Sequence, residues 1–377
     1  MRGLRIHITG SAAEDCEGEL LRSAHSFVAS LAGEIINHGG GLVLGASGEP
    51  RGASGEPCIF DWSAIAAVAD APDPAPDWPP LRRERFVVVS TQSGLEKIPA
   101  NRQDMWKGFR TRSDVDLDVA PPGWRMAGII RERQVRRGDV LVVLGGGAGV
   151  EHLAQSYASD GRPVIPIAAD LGAYSQDGAG GSRLLHARAL SDPNSFFRLS
   201  DGRGSPTARL LPLKLDADTV GSALASVVVD LLTDLRSPTA FYVRLLDTNH
   251  SDHSEVEEFF RQVVDCVVSD KGYTPDEMGG RPPAAAFMNV DIFRSLHRAG
   301  AVIVDLTGVR PNCMMELGYA LGRQKRVIIT AREGTSLPFD PDKLPTHLWK
   351  PGVEVKDRIA LFDQWFDRYY ELPPIID

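Results

Sequence analysis

The sequence predicts an α/β protein of two domains, each a mainly parallel sheet flanked by helices. Three observations carry that expectation. The chain has 377 residues, more than a single hydrophobic core ordinarily serves. Buried-type apolar runs alternate with helical patterns, and several runs end in glycine turns, as strand–turn–helix–strand units of a parallel sheet do. The pattern closes before Ser237-Pro238 and restarts with FYVRLL at 241–246, so the expected domains are residues 1–236 and 237–377.

Each element follows from its local pattern. LRIHITGSA opens with a short strand ending at Gly10, and a helical pattern follows over 20–37. Leu42 to Leu44 reads as a second buried strand, followed by Gly45 and a loop in which ASGEP occurs twice, at 46–50 and 53–57. The proline-rich segment 70–83 is expected to be an extended surface loop, and FVVVS at 86–90 a buried strand. A polar, partly helical stretch through Asn101 and Arg102 comes next, then a helix over about 124–137, the strand Val140–Leu144, the turn Gly145 to Gly149, a helix from about 150 and the strand Pro163–Ile167. Residues 171–206 read as loop with one short helix, and Asp216–Leu235 as a closing helix. The second half reads strand 241–246, helix 254–270, a strand or turn near Tyr273, helix 289–298, strand 301–306, helix 312–323, strand 326–330 and a last helix near 357–370.

Composition narrows the function classes. Apolar residues make up 43% and charged residues 24%, the balance of a soluble globular protein, and no stretch approaches the roughly 20 apolar residues of a membrane span. MRGLRIHITG leads directly into a strand without the apolar core of a secretory signal, so a cytoplasmic protein is expected. Cys16, Cys58, Cys266 and Cys313 are scattered and form no CxxC pair, which suggests neither a disulfide framework nor a zinc site; no metal is expected. A net charge of −9 repels a phosphate backbone, so long nucleic acid is not an expected partner. Arg82, Arg83 and Arg85, and Arg131, Arg133, Arg136 and Arg137, are local basic clusters able to receive a small phosphorylated ligand.

Two constellations carry chemistry. In the first, glycine turns follow buried strands: Gly10-Ser11, Gly45, and Gly145, Gly146, Gly147 and Gly149. Such turns let backbone N–H groups approach a phosphate, and the following helix N-terminus favours the anion; ligands of open α/β sheets collect at the strand C-termini. No GxxxxGK[ST] is present, so an ATP-hydrolysing P-loop is not expected. In the second, AVIVDLTGVRPNCMMELGYAL at 301–321 places Asp305 at the edge of a buried strand and Thr307-Gly308 in a turn. Asn312 and Glu316, four residues apart, share one helix face. A carboxylate there can stabilise or capture the oxocarbenium-like sugar formed when an N-glycosidic bond breaks. A half-buried Glu among apolar neighbours is costly without a partner or a purpose. The competing roles are structural: Glu316 pairing with Arg323 or Lys325, Asp305 as a turn residue, and Asn312 as the N-cap after Pro311.

The residues also carry two resemblances. ITGSA, the glycine turn after the second strand and LGGGAGVEHLA resemble the SLOG superfamily, in particular its Sir2/TIR-associating LOG-like branch from bacterial anti-phage effectors. That resemblance spans most of residues 1–200. It implies a Rossmann-like domain that senses a cyclic ADP-ribose-type or related nucleotide. Enzymatic LOG proteins show PGGxGTxxE at this turn; here Gly145 replaces the proline, Val150 the threonine, His152 and Leu153 follow where acids are expected, and Glu151 is displaced by one. The departure implies sensing rather than phosphoribohydrolase activity.

DLTGxxPNxxxELGYAL resembles the nucleoside 2-deoxyribosyltransferase-like and TIR-like superfamily, which implies a flavodoxin-like domain over 237–377. FYVRLLD, the helix around Glu255–Phe260, GYTPDEM at 272–278 and SLPFD at 336–340 fall where that superfamily has its conserved strand, helix and loop segments. By resemblance Glu316 is the nucleophile or oxocarbenium stabiliser and Asp305 a sugar-binding acid. Asn312, Arg244, Asp247 and Thr307 are the expected substrate contacts, although Arg244 and Asp247 replace an apolar loop common in that superfamily. His250, His253 and His297 read as solvated surface residues.

Together these readings predict a homo-oligomeric, signal-nucleotide-activated N-glycosidase. NAD+ is its expected substrate, it needs no further cofactor, and it acts as an immune effector against phage. A housekeeping nucleoside N-glycosidase or deoxyribosyltransferase, and a non-catalytic nucleotide-binding adaptor, are the alternatives.

Overall fold

A computed structural model describes residues 4–73, 84–121, 126–174, 181–276, 288–323, 325–339 and 343–369. The chain divides into two compact units, Met1–Arg236 and Ser237–Asp377, and each carries its own parallel sheet.

The first unit runs β1 (Arg5–Ser11), α1 (Gly18–Asn37), β2 (Gly41–Gly45), α2 (Asp61–Val68), β3 (Phe86–Thr91), α3 (Gln92–Glu96), α4 (Gln103–Arg110), β4 (Val115–Ala120), α5 (Met126–Arg137), β5 (Val140–Gly145), α6 (Ala148–Ser159), β6 (Val164–Ala169), α7 (Gly181–Ser191), α8 (Pro206–Leu210), β7 (Lys214–Leu215) and α9 (Gly221–Asp234). Its sheet has the order β4-β3-β2-β1-β5-β6-β7, with every pair parallel. The chain lays strands outward from β1 to β4 and then returns to place β5 on the other side of β1. The crossover point therefore lies between the C-terminal ends of β1 and β5, where Ser11 pairs with Gly145. Helices cover both faces, which is why β5 is buried at all six positions and reads as a continuous apolar run. In α1, Leu20, Ala24, Phe27, Leu31 and Ile35 recur on one face and are buried, and the helix packs against α2 and α9.

The second unit runs β8 (Thr239–Val243), α10 (His253–Phe259), a π-helical turn (Phe260–Val264), α11 (Asp265–Asp270), β9 (Thr274–Asp276), α12 (Met288–Arg298), β10 (Ala301–Asp305), α13 (Pro311–Gly322), β11 (Val327–Arg332), β12 (Thr346–Trp349) and α14 (Val355–Tyr369). The order is β12-β11-β10-β8-β9, again parallel throughout. Its crossover point lies between β8 and β10. On the α14 side an aromatic cluster closes the core, with the rings of Phe259 and Trp349 stacked at 4.6 Å.

Several elements differ from the sequence reading. The stretch 171–206 holds the eleven-residue helix α7 where a loop with one short helix was expected. β4 (VDLDVA) is an edge strand of mostly half-buried residues, so it lacks an apolar run. Its Asp116 and Asp118 pair with Arg137 and Arg133 of α5. The helix α2 and the edge strand β12 were likewise not anticipated. Most of the proline-rich segment, including Arg82 and Arg83, and the ends of GYTPDEM and SLPFD lie outside the described residues. Among the described residues no helix is long and apolar enough to cross a membrane.

Candidate functional site

At the crossover point of the first unit lies a cleft of about 360 Å³. Thr9 and Ser11 of β1 and Thr91 of β3 line it, with Arg131 and Gln134 of α5 and with Gly147 and Gly149 at the opening of α6. Of the expected signal-nucleotide contacts, Ser11, Gly147 and Gly149 are therefore in the lining. Gly10, Gly45, Gly145 and Gly146 are not, and their glycines have internal reasons. A Cβ on Gly10 would lie 1.6 Å from the Leu144 carbonyl oxygen, and one on Gly145 2.2 Å from that of Ser11, so both permit the close approach of β1 and β5. The Gly145 N–H donates to Ser182 Oγ at 2.7 Å. The Gly146 N–H donates to the Ser11 and Gly172 carbonyls, and the Gly45 N–H to Asp61 Oδ1 at 2.8 Å.

The basic clusters separate in the same way. Arg85 is buried and donates to the carbonyls of Gly40, Pro72 and Ile36, so it ties β3 to the end of α1. On α5, Arg133 pairs with Asp118, Arg136 with Glu132 and Arg137 with Asp116. Among the described residues Arg131 has no ion pair and its buried Nε has no hydrogen-bond partner. Its Nη1 lies 3.2 Å from where a Cβ on Gly149 would stand. No carboxylate is among the described residues that line the cleft.

In the second unit Asp305 ends β10 and is fully buried. Its carboxylate accepts from the Thr307 N–H at 3.0 Å, Thr330 Oγ1 at 2.8 Å and Trp349 Nε1 at 2.9 Å. Burial pushes its carboxyl up, while the hydrogen bonds from Thr307, Trp349 and Thr330 pull it down. Asp305, expected as a sugar-binding acid, is thus buried in this structure and joins β10 to β11 and β12 through these bonds. Thr307 is also buried, and its Oγ1 accepts from the Arg332 N–H at 2.9 Å. Arg244 is buried, pairs with Glu257 and lies over the Phe260 ring at 5.2 Å. The expected substrate contacts Thr307 and Arg244 are thus both buried here and bonded within the unit, to Arg332 and to Glu257.

The rim differs. Asp247 is open to solvent and accepts from Arg310 Nη1 at 3.1 Å. Its carboxyl is held below the usual range by the Asn249 N–H and by Arg310. Asn312 is exposed in the first turn of α13; the N-cap is Arg310, with Pro311 in the first helical position, so Asn312 is not the cap. Glu316, one helical turn on, is half-buried and makes no hydrogen bond or ion pair with any described residue, including Arg323 and Lys325. Burial pushes its carboxyl up to about 7. The thiol of Cys313 is pushed up to about 12 by burial, with the charges of Glu316 and Asp305 adding and that of Arg310 opposing, which places those three groups around it.

Two residues outside the expected set complete this rim. A Cβ on Gly308 would meet the His250 ring at 3.1 Å, so His250 lies against the turn that leads into α13 instead of standing free in solvent. Arg310 reaches across to Asp247 from the same turn. Neither belongs to a periodic pattern; the only sequence signal for Arg310 is its place just before Pro311. In this turn Val309 has φ +45°, the only positive φ at a non-glycine among the described residues, and a β-branched residue is costly there. No group of three or more His, Cys, Asp or Glu among the described residues is placed to hold a metal ion.

Comparison with known proteins supplies the family. ATP nucleosidase Cap17 of Escherichia coli (strain KTE188) is 28% identical over 192 residues, 51% of this chain and 37% of the relative, and a second Escherichia coli protein of that name matches equally. The matched region is thus little more than a third of the length of these curated relatives. Among solved structures, UDP-GlcNAc 2-epimerase from Neisseria meningitidis, bound to UDP-GlcNAc, aligns over 77% of this chain and 87% of its own at 12% identity. Its TM-score of 0.22 is too low to carry an argument. The family model described as "ATP nucleosidase Cap17-like, N-terminal" matches residues 1–219, within the first unit and over more than half of the chain. The chain belongs to that Cap17-like family.

Proposed function

We propose that the chain is a nucleotide N-glycosidase of anti-phage defence, in which the first unit binds a signalling nucleotide and the second breaks the glycosidic bond. The observation that carries this reading is Glu316: a half-buried carboxyl without a partner among the described residues, pushed up to about 7 by burial, on the helix that follows the central strand β10. Such a group is unfavourable for stability and suited to chemistry on a sugar. As the C1′–N bond breaks, its electron pair leaves with the base, and positive charge grows at C1′. Ionised Glu316 stabilises that charge or bonds to C1′; water then supplies the hydroxyl, and its proton passes to a carboxylate or to solvent. NAD+ is the favoured substrate because its positively charged ring leaves as a neutral base and needs no proton. ATP, named by the Cap17 relatives, is the alternative; adenine needs a proton to leave well, and His250 on the same rim is the group to test as its donor. The SLOG-like and TIR-like character of the two units, and assembly as a homo-oligomer, are parts of this proposal.

One finding favours a second reading. The family likeness falls on residues 1–219, and Glu316 lies outside it, so the nucleosidase activity named for the relatives could reside in the first unit. The lining among the described residues, hydroxyls, amides and one arginine without a carboxylate, favours binding there over bond cleavage. The deciding experiment is a chromatographic assay of base release from NAD+ and ATP, with and without ADP-ribose-derived and cyclic nucleotides. Wild type should release a base when a signal is present, and Glu316→Gln should reduce turnover at least about 100-fold with the fold intact by circular dichroism. Undiminished release by Glu316→Gln would assign the chemistry to the first unit.

A further inference from the structure

In the second unit the loop between β8 and α10 links a histidine to a carboxylate and an arginine. His250 turns its Nδ1 toward Asp252, whose backbone N–H donates to it at 3.2 Å and whose Oδ2 lies 3.8 Å away. The other oxygen of that carboxylate, Oδ1, faces Arg332 Nη1 at the end of β11, at 3.5 Å. The loop is held by its own turns, with the His250 N–H on the Asp247 carbonyl and the His253 N–H on the His250 carbonyl. Asp247, paired with Arg310, is the other charged group near the ring.

These contacts decide where the imidazole carries its protons. In the neutral ring Nδ1 accepts from an N–H, so the single proton is on Nε2. In the charged ring the second proton is on Nδ1, where it faces the Asp252 carboxylate, and Nε2 keeps its own. Nε2 is a donor in both states. It has no acceptor among the described residues. It lies 3.1 Å from where a Cβ on Gly308 would stand, against the turn that leads from β10 into α13, the helix of Glu316.

We infer that His250 is the proton donor to the leaving base, with Asp252 as its positioning residue, and that the second unit therefore acts on purine nucleotides as well as on substrates with a cationic ring. This deepens the proposed N-glycosidase role of the second unit and rests on that reading. As the bond from C1′ to the purine breaks, its electron pair goes to the base, and the base nitrogen N7 takes the proton from Nε2, so that adenine leaves neutral instead of as an anion. Water adds its hydroxyl to C1′, and its proton returns to Nε2. The Asp252 carboxylate stabilises the charged ring before the transfer. Nicotinamide leaves its cationic ring as a neutral base without a proton, so His250 matters for one class of substrate and not for the other.

The test compares base release by the full chain from ATP, from the ATP analogue in which carbon replaces N7, and from NAD+, with the products separated by chromatography. Wild type should release adenine from ATP at least about tenfold faster than the modified base from the analogue. His250→Gln keeps an N–H but has no proton to give. It should slow release from ATP at least about 100-fold and change release from the analogue and of nicotinamide by less than about threefold. Asp252→Asn should slow release from ATP about tenfold and spare the other two, with both variants folded by circular dichroism. Equal losses on all substrates in His250→Gln would make the histidine structural and overturn the inference. An unchanged rate on ATP, equal rates of wild type on ATP and the analogue, or no release from ATP by wild type would overturn it as well. Glu316→Gln is assayed alongside. If it abolishes release while the rate on ATP is indifferent to His250, the acid is refuted and Glu316 stands; if release survives it, the catalytic reading of the second unit is refuted and this inference with it.

Discussion

Glu316 and Asp305 illustrate how two carboxylates a few residues apart take opposite roles. Asp305 is deeper but has three donors on its oxygens; Glu316 is shallower and has none among the described residues. Burial without compensation raises the Glu316 carboxyl from its ordinary 4.5 to about 7, so the folded protein holds on to that proton more tightly than the unfolded chain does. The stability this confers is fully present below about pH 4.5 and is lost as pH rises through about 7. Replacing Glu316 by Gln removes the charge that is unfavourable above neutrality. Glu316→Gln should therefore melt about 2–4 °C above wild type at pH 8 and close to it at pH 4, in thermal unfolding followed by circular dichroism. Lower stability of the variant at pH 8 would mean that Glu316 has a partner that burial alone does not describe. Wild-type turnover should increase as pH rises through about 7, because the ionised form faces the developing positive charge.

At the scale of elements, the segment from β10 to α13 is the part that positions chemistry. Asp305 ties the end of β10 to Thr330 of β11 and Trp349 of β12, so the sheet edge beneath the turn is fixed. Asp305→Ala would leave two side-chain donors and the Thr307 N–H buried without an acceptor, at a cost of about 3 kcal/mol or more; Asp305→Asn should cost less because it keeps an acceptor. Urea denaturation distinguishes the two, and equal stability of Asp305→Ala and wild type would refute the tie. Val309 belongs to the same turn. Its left-handed backbone is strain that glycine would relieve, so Val309→Gly should stabilise the protein by about 0.5–1 kcal/mol. If the turn is held in this shape for substrate, the variant should also lose turnover; a destabilised Val309→Gly would show that the valine side chain contributes more through packing than its backbone costs.

For the whole molecule, each unit has its own sheet and its own core, from Ile6 to Leu235 in the first and from Phe241 to Ala331 in the second. Residues 237–377 produced alone should therefore fold, with a cooperative thermal transition. On the proposed reading that segment keeps its Glu316-dependent base release and no longer responds to nucleotides. A segment that folds but is silent under all conditions would show that the first unit supplies part of the active arrangement.

Much of this protein is legible in the order of its residues. Continuous apolar runs such as VLVVLG and AVIVD announce strands covered on both faces, and the glycines after them announce crossovers, because these are direct consequences of burial and of backbone geometry. Elements at the sheet margins are not legible in the same way: β4 alternates with aspartates whose partners lie on α5, and α7 has a weak apolar face. The Asn312 and Glu316 spacing placed one carboxyl on a helix face at the end of a strand, since helical periodicity is local. Whether a polar group is used inside the fold or left for a ligand is not a local property. Asp305, Thr307, Arg244 and Gly45 resembled site residues and are occupied by Trp349, Arg332, Glu257 and Asp61, whereas Arg131 resembled its neighbours on α5 and has no ion pair among the described residues. Folding decides this because most of these partners are distant in sequence and meet only when strands and helices pack, and it is the presence or lack of such a partner that separates a support from a site.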